Sequence, residues 1–184
     1  MSIEKRYRQR TKDEIDNYIK GMEEVADVLD NLSVSWILAC GALLGIHREG
    51  NLISYDCDVD IEIGKEDFEK RNEIKQKLKE KGFGVDMWDV IITMRGRKYD
   101  HKYELRFWEL EDGKRKRKGF TLPDKFFKNK GEIELRGRKY PCPKDVEGYL
   151  EYVYGKNWKV PYKIKKDYNE GYTQRYSKNG YLQE

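Results

Sequence analysis

The chain has 184 residues, which is enough for one folded domain with a small appendage. Charged residues make up 39% of it and aromatic residues 13%, and a disordered chain would be poor in Trp and Tyr. The net charge of +4, from 38 Lys and Arg against 34 Asp and Glu, is too small to indicate nucleic-acid binding. We therefore expect one folded core with a heavily charged surface and no nucleic-acid partner.

Cysteine and apolar content indicate the cellular compartment. The three cysteines, Cys40, Cys57 and Cys142, are odd in number and unclustered, and with only two histidines they do not favour a structural zinc site. Such usage is typical of a reducing compartment. The most apolar stretch, Trp36 to Ile46, is too short to span a bilayer. We expect a cytoplasmic protein.

The first predicted element is a long helix. Residues 1–10 are basic, and we expect them to be frayed. Thr11 and Glu14 have the spacing of a capping box, and apolar residues then recur at helical intervals as far as Leu29. This pattern predicts a helix of about twenty residues that packs on the core.

A strand, a turn and a short helix follow. Val34 to Ala39 predicts a buried strand that ends at Gly41, and Ala42 to Arg48 predicts a short helix. Asp58 to Ile63 alternates acidic and apolar residues, which predicts a half-buried strand. The charged segment Asp67 to Lys81 keeps an apolar stripe and predicts a surface helix.

The second half of the chain predicts strands and one helix. Strand signals cover Val90 to Met94 and Tyr103 to Leu110, and Glu111 to Lys114 predicts a hairpin turn of the Asp-Gly type. Pro141 to Asp145 opens a final helix that Gly155 caps. We assign residues 1–162 to one domain and residues 163–184 to a polar C-terminal tail.

The basic run Lys114 to Lys118 allows two interpretations. It is either the soluble tip of the hairpin or a contact for an anionic lipid headgroup or a glycan phosphate, which would give peripheral membrane contact.

Three acids at alternate positions are the strongest functional signal. Asp56, Asp58 and Asp60 would point to one face of a strand, where their charges repel unless a cation neutralises them. A solvated strand end is the alternative. Mg²⁺ prefers a few carboxylates together with phosphate oxygens. We therefore predict a metal site at these three residues for Mg²⁺, with Mn²⁺ as the alternative, and a phosphorylated substrate.

A glycine turn before the acids suggests how the phosphate is bound. Gly41 lets the backbone approach a phosphate, and the helix that begins at Ala42 supplies N–H donors. A strand, a glycine turn, a helix and an Asp-x-Asp strand form the core of the polymerase-β-type nucleotidyltransferase fold. We predict an α+β (α/β) fold: a nucleotidyltransferase-like mixed central sheet flanked by helices, with a C-terminal helical segment.

A third acid usually completes such a site, and Glu104 is the best candidate, either as a metal ligand or as the base for an acceptor hydroxyl. If Tyr103 and its alternate neighbours pack the core, Glu104, Arg106 and Trp108 share the other face. Arg106 would then be a balancing charge and a substrate contact. Glu104 alternatively pairs with Arg106 or a lysine and has no role in catalysis.

Three segments together resemble the LicD family of bacterial phosphocholine transferases, which is related to fukutin-type phosphoribitol transferases. The segments are Gly41-Ala-Leu-Leu-Gly-Ile-His-Arg48, Ile53-Ser-Tyr-Asp-Cys-Asp-Val-Asp-Ile61, and Tyr140-Pro-Cys-Pro-Lys-Asp145 with the following Tyr-Gly, Trp and Pro up to Pro161. The resemblance implies an enzyme that transfers phosphocholine or a similar phospho-alcohol from a CDP-linked donor to a sugar hydroxyl of a glycan.

The resemblance also implies roles for particular residues. Asp58 and Asp60 match the family's metal ligands, and Arg48 matches its arginine, which implies a phosphate contact; a charge that complements the helix dipole is the alternative. Cys57 replaces the middle Asp of the family's triple, and we expect it to point to the opposite face. The family's later Asp matches Glu104, or Arg106 if the strand is shifted.

Two other functions remain open. A minimal nucleotidyltransferase would use a nucleoside triphosphate and modify a protein, a drug or a tRNA. A non-enzymatic binding module would have kept the fold and lost the third acid. The C-terminal Tyr-Gly, Trp and Pro block favours the LicD-like transferase over the first, and the position of Glu104 decides the second.

Overall fold

The computed structural model describes residues 8–88, 92–117 and 120–161. The helices are α1 (Lys12–Asn31), α2 (Cys40–Glu49), α3 (Arg71–Glu80), α4 (Lys125–Lys128) and α5 (Val146–Tyr154), and a 3-10 helix covers Lys65–Lys70. The strands are β1 (Trp36–Ala39), β2 (Asp58–Gly64), β3 (Gly84–Trp88), β4 (Thr93–Lys98), β5 (His101–Glu111), β6 (Lys114–Arg117), β7 (Phe120–Pro123), β8 (Lys130–Leu135) and β9 (Arg138–Pro143).

The main sheet is mixed and carries helices on both sides, as predicted. Its strands lie in the order β1-β2-β5-β4-β3, while β6 pairs with the far end of β5, and β7 pairs with β6. Strands β2 and β5 are parallel and the other pairs are antiparallel. A separate hairpin is formed by β8 and β9. Every helix in the described ranges is too short or too polar to cross a bilayer.

Apolar side chains pack on both faces of this sheet. On one face, α1 and α3 cover alternate residues of β2 and β5: Val59, Ile61, Ile63, Tyr103, Leu105 and Phe107. On the other face, α2, α4 and α5 form a second cluster that includes Trp108. Because side chains alternate along a strand, the acids of β2 lie on the second face, beside α2.

The long first helix has the predicted start. The hydroxyl of Thr11 accepts a hydrogen bond from the amide of Glu14, at 3.3 Å, and the Glu14 carboxylate accepts one from the amide of Thr11, at 2.8 Å. Both halves of the capping box are therefore present. The apolar stripe that follows is buried, which is why this helix packs on the sheet.

Several predicted boundaries were wrong. Helix α2 begins at Cys40, so Gly41 lies inside its first turn and does not separate strand from helix. The predicted surface helix is split, because the 3-10 helix Lys65–Lys70 precedes α3. The predicted strand Val90 to Met94 begins only at Thr93 in the described part of the chain, and residues 89–91 lie outside it.

The hairpin after β5 is confirmed, but its basic run is not the tip. Asp112 and Gly113 both have positive φ, 51° and 71°, which is the geometry expected of an Asp-Gly turn. Lys114–Arg117 form β6 between β5 and β7, and Arg115 is buried against Asp124. The run therefore belongs to the sheet, although Lys114 stays exposed, and a contact with an anionic headgroup or glycan phosphate stays a prediction; Lys118 lies outside the described residues.

The chain ends were predicted in part. Helix α5 starts after Pro141–Asp145, with the Asp145 side chain as its N-cap, and Gly155 follows its last turn with φ at 81°. The fraying predicted for residues 1–10 does not hold for Arg10, whose amide donates to the Ser54 carbonyl at 2.9 Å and whose Nε donates to the Tyr18 hydroxyl at 2.8 Å. Residues 1–7 and the predicted tail at residues 163–184 lie outside the described residues.

Candidate active site

Acidic side chains on β2 and β5 form the centre of the site. Asp58, Asp60 and Glu62 alternate with buried apolar residues, so all three share the face beside α2. In the parallel pairing of the two strands, Asp60 lies opposite Glu104. Neighbouring strands are about 4.8 Å apart, so this register brings a second carboxylate to the side of Asp60.

Asp56 and Cys57 depart from the predicted alternation, because both precede β2, which begins at Asp58. Asp56 lies in a turn, where its amide donates to the carbonyl of Ile53. The Cys57 thiol does not point away from the acids as predicted. Ligand atoms of Asp56, Cys57 and Asp58 all lie within 4.8 Å of one another. The three-acid strand face was therefore a wrong description, although a compact group of donors is present.

The Asp56 carboxylate explains the glycine at position 41. A β-carbon on Gly41 would lie 1.9 Å from Oδ2 of Asp56, so any side chain there would displace this carboxylate. Ala42 packs its methyl group into the core, and only the backbone of this turn is left to contact a ligand. The N-cap residue Ala39 has no polar side chain to accept from the first-turn amides of α2. Such amides can bind an anion.

Burial and mutual repulsion change the acidity of two of these groups. Burial, and then the charge of Asp58, raise the pKa of Asp56 to about 7. Burial also raises the pKa of Asp60 well above its usual value, the nearby Arg106 opposes that rise, and Asp58 and Glu104 add to it. A cation bound among these groups would favour their ionised forms.

The structure places Glu104 on the predicted face and gives it a partner, Arg95. The Arg95 Nε and Nη2 atoms donate to Oε1 of Glu104 at 2.9 and 2.6 Å. The same guanidinium stacks on the ring of Trp88, 3.9 Å from its centroid, and Trp88 is 45% exposed. Both bonds fall on one oxygen, so Arg95 does not engage the second oxygen of Glu104.

Arg106 belongs to a buried network that sequence reasoning missed. Its Nη1 lies 3.0 Å from Oδ1 of Asp60, and its Nε lies 3.2 Å from Oε2 of Glu62. Nη2 makes a second bond to Glu62 and lies 3.0 Å from the Cys40 sulfur. Glu62 is fully buried and also accepts from Nε1 of Trp108.

The signal for Glu62 was present in the sequence. It continues the alternation of Asp58 and Asp60 on β2, two positions further along the same face. Arg95 gave no comparable signal, because its place beside Glu104 depends on the pairing of β4 with β5.

Arg48 is not brought to the acids. It lies in the last turn of α2, about 12 Å along the helix from Cys40 at 1.5 Å per residue. Its Nη1 donates to the carbonyl of Trp158 at 3.2 Å, and its other nitrogens bond Glu49. These contacts indicate an anchor for the chain after α5, and a contact with donor phosphate stays a prediction.

The donor set fits a hard divalent cation. The carboxylates of Asp56, Asp58 and Asp60 supply oxygen ligands of the kind that Mg²⁺ and Mn²⁺ prefer. Burial is the main cause of the raised pKa values of Asp56 and Asp60, and the nearby Asp58 adds to both. Sulfur is a poor ligand for Mg²⁺, so the carboxylates, and not Cys57, could hold such an ion.

Comparisons with known proteins agree with this geometry. The profile of the family described as LicD/FKTN/FKRP, nucleotidyltransferase domain, matches residues 33–145, which is more than half of the chain. No curated protein sequence is significantly similar to the chain.

Two solved structures share the fold. One is the lincosamide antibiotic adenylyltransferase LnuA with lincomycin bound, with a TM-score of 0.55 and 15% identity over 90% of this chain and 96% of that one. The other is ANT(2")-Ia in complex with adenylyl-2"-tobramycin, with a TM-score of 0.54 and 14% identity over 84% of this chain and 85% of that one. At this identity the likeness shows a common nucleotidyltransferase fold.

Proposed function

The chain belongs to the LicD family, and from this premise we propose that it transfers phosphocholine or a similar phospho-alcohol from a CDP-linked donor to a sugar hydroxyl of a glycan. A transferase of this fold needs a nucleotide donor and an acceptor. The observation that carries the proposal is the placement of Asp58, Asp60 and Glu104 on one sheet face beside the first turn of α2.

The proposed metal is Mg²⁺, held by Asp58 and Asp60 with Asp56 beside them. When bound, such an ion neutralises the charge of the donor phosphates and aligns them. The first-turn amides of α2 at Gly41 and Ala42 bind a phosphate oxygen, since a helix N-terminus attracts anions.

Glu104 acts as the base in this proposal. Its second carboxylate oxygen takes the proton of the acceptor hydroxyl while the hydroxyl oxygen bonds to the phosphorus of the phospho-alcohol. The phosphorus–oxygen bond to CMP breaks, and CMP leaves with the electron pair. Arg95 holds Glu104 in place through its two bonds to the first oxygen.

A nucleoside triphosphate donor and a small acceptor form the second candidate. It is favoured by the extent of the structural likeness, because the alignment with LnuA covers 96% of that antibiotic adenylyltransferase. The two candidates share the acids and differ in the donor, so a direct comparison of donors separates them.

The test measures thermal unfolding with CDP-choline, CDP-ribitol, CTP or ATP, each with and without Mg²⁺. A ligand that binds only the folded state raises its stability by mass action. We expect a CDP-linked donor with Mg²⁺ to raise Tm by several degrees, and the shift to vanish in Asp58→Asn/Asp60→Asn. Preferential stabilisation by ATP or CTP would instead support the second candidate.

The matched control is Glu73→Gln/Glu80→Gln on α3. Both residues are exposed, and the pair changes the net charge by the same amount as the double aspartate variant. It should keep the full donor-dependent shift. An unchanged shift in the aspartate variant would contradict the proposed metal site.

A further inference from the structure

We infer that Arg106 is a built-in counter-cation for Asp60 that gives way to the metal, and that the buried Glu62 is the positioning residue that holds Arg106 for this exchange. The inference rests on the metal site proposed above. Before the metal binds, Arg106 compensates the charge of the Asp60 carboxylate, and Glu62 fixes the position of Arg106.

Arg106 makes more bonds to Glu62 than to Asp60, and the inference rests on this difference. Two of its nitrogens bond Glu62, which is fully buried and also accepts from Trp108. One nitrogen, Nη1, pairs with Asp60, whose side chain is 15% exposed. The arginine is therefore fixed at its Glu62 side, and its contact with Asp60 is the one that can be exchanged.

The register explains why one guanidinium reaches both carboxylates. Arg106 lies directly opposite Glu62 in the pairing of β2 with β5, and Asp60 is two residues back along β2 on the same face. The guanidinium is a rigid planar fork, so a fixed bond to Glu62 also fixes the direction of Nη1 towards Asp60. Lysine offers a single point charge on a flexible chain and could not make this pair of contacts in one orientation.

The charges are unbalanced without a further cation. Arg106 shares one positive charge between two carboxylates that are both removed from water. A divalent cation at Asp58 and Asp60 would compensate the remaining negative charge, and Asp60 would turn from Nη1 to the ion. Nη1, released from Asp60, could then bind an oxygen of the donor phosphate.

The exchange predicts opposite effects of two substitutions on metal affinity. Arg106→Met removes the competitor for Asp60 and its repulsion of the ion, so Mn²⁺ alone should bind several-fold more tightly. Glu62→Gln removes the carboxylate that shares the charge of Arg106 with Asp60. Arg106 should then pair more strongly with Asp60, and Mn²⁺ should bind several-fold more weakly.

The measurement is calorimetric titration of the full chain with Mn²⁺, with and without CDP, supported by near-UV circular dichroism of each variant. In the wild type, CDP should tighten Mn²⁺ binding, because phosphate takes the position that Asp60 leaves on Arg106. This coupling should shrink in Arg106→Met. If Arg106→Met does not fold, Glu62→Gln/Arg106→Met also removes the charge that Glu62 would leave unpaired in the core, and this variant should still bind Mn²⁺ more tightly than the wild type.

Arg115→Met is the matched control. Arg115 is as buried as Arg106 and also bridges two carboxylates, Asp124 and Glu66, but it lies on β6 away from the acids. Its loss should lower Tm and leave Mn²⁺ affinity unchanged.

Two results would overturn the inference, and they are distinguishable. If the wild type binds Mn²⁺, and Arg106→Met and the double variant bind it equally or more weakly, Arg106 is only a structural partner of Glu62 and the proposed function stands. If the wild type binds no Mn²⁺ with or without CDP, the proposed metal site fails, and the exchange fails with it.

Discussion

At the scale of single residues, Gly41 shows how close packing can require an absent side chain. Alanine is the better helix former, yet a β-carbon at position 41 would lie 1.9 Å from Oδ2 and 3.0 Å from Cγ of Asp56. The glycine was predicted for the approach of a phosphate. The contact with Asp56 gives it a second and independent reason.

Gly41→Ala should therefore destabilise the protein by about 1–3 kcal/mol, the usual cost of overpacking, and weaken Mg²⁺-dependent donor binding, because Asp56 must move. Urea unfolding and thermal shift with CDP-choline measure the two effects. Adding Asp56→Ala to Gly41→Ala should restore stability without restoring binding. Gly84→Ala is the control, since its β-carbon would meet only the Arg97 carbonyl at 3.9 Å. Equal stability of Gly41→Ala and the wild type would contradict the packing argument.

Two arginines with the same predicted role, Arg48 and Arg106, have different partners in the structure. Arg48 and Arg106 were both predicted to contact the substrate. Arg48 is bonded to Glu49 and to the Trp158 carbonyl at the far end of α2, whereas Arg106 pairs directly with Asp60. Sequence position relative to the glycine turn could not show these different partners, because they depend on how α2 and β5 pack, and the contact of Arg48 with donor phosphate stays a prediction.

At the scale of elements, the interface between α1 and the sheet contains a buried histidine. The ring of His101, at the start of β5, stacks on Tyr18 of α1 with centroids 3.5 Å apart. Its Nδ1 is buried without a hydrogen-bond partner among the described residues. Burial, and then the charges of Arg10 and Lys102, lower the pKa of His101 to about 3.

This pKa makes the contact sensitive to acid. The folded protein keeps His101 neutral, while the unfolded chain takes up a proton below pH 6.5, so stability is present above that pH and is lost as pH falls towards 3. The loss is about 1.4 kcal/mol per pH unit, or about 2 kcal/mol at pH 5.

His101→Phe should remove this loss, because phenylalanine keeps the stack and cannot be protonated. We expect it to narrow the difference in unfolding free energy between pH 7.5 and pH 5, measured by urea unfolding without added metal. An equal pH dependence in His101→Phe and the wild type would sink the argument.

At the scale of the whole molecule, the candidate site lies on β2 and β5, strands whose backbones are well protected from solvent. Strands β2 and β5 are each paired on both sides, and their apolar residues pack against α1. Strand β3 is at the edge, and its residues are half-buried or exposed. The proposed metal ligands Asp58 and Asp60 therefore lie on a strand that is paired on both sides, which would hold them in place before a ligand binds.

Hydrogen exchange should report this order. Amides of β2 and β5 should exchange most slowly, close to the rate of global unfolding, and those of β3 should exchange much faster. Mg²⁺ with CDP-choline should slow exchange at residues 40–43 and 56–60 and leave β8 unchanged. Exchange in β3 as slow as in β5 would contradict this distribution of stability.

The sequence by itself determined the features that depend on neighbours along the chain. The capping box at Thr11, the turn at Asp112 and the acid alternation that begins at Asp58 each follow from local spacing. The order of strand, glycine turn, helix and Asp-x-Asp strand, together with the resemblance to the LicD family, predicted the nucleotidyltransferase-like mixed sheet.

Only the tertiary structure decided which charges meet. Arg106 and Glu62 are 44 positions apart, and the pairing of Asp60 with Glu104 depends on the register of two parallel strands. That register is fixed because both strands bury their opposite, apolar face. The spacing within one strand shows which of its residues are buried, but it does not show which residues of the other strand lie beside them. Asp56 and Cys57 were misplaced for the same reason: the chain turns before β2, and the close approach to Gly41, not the strand period, positions them.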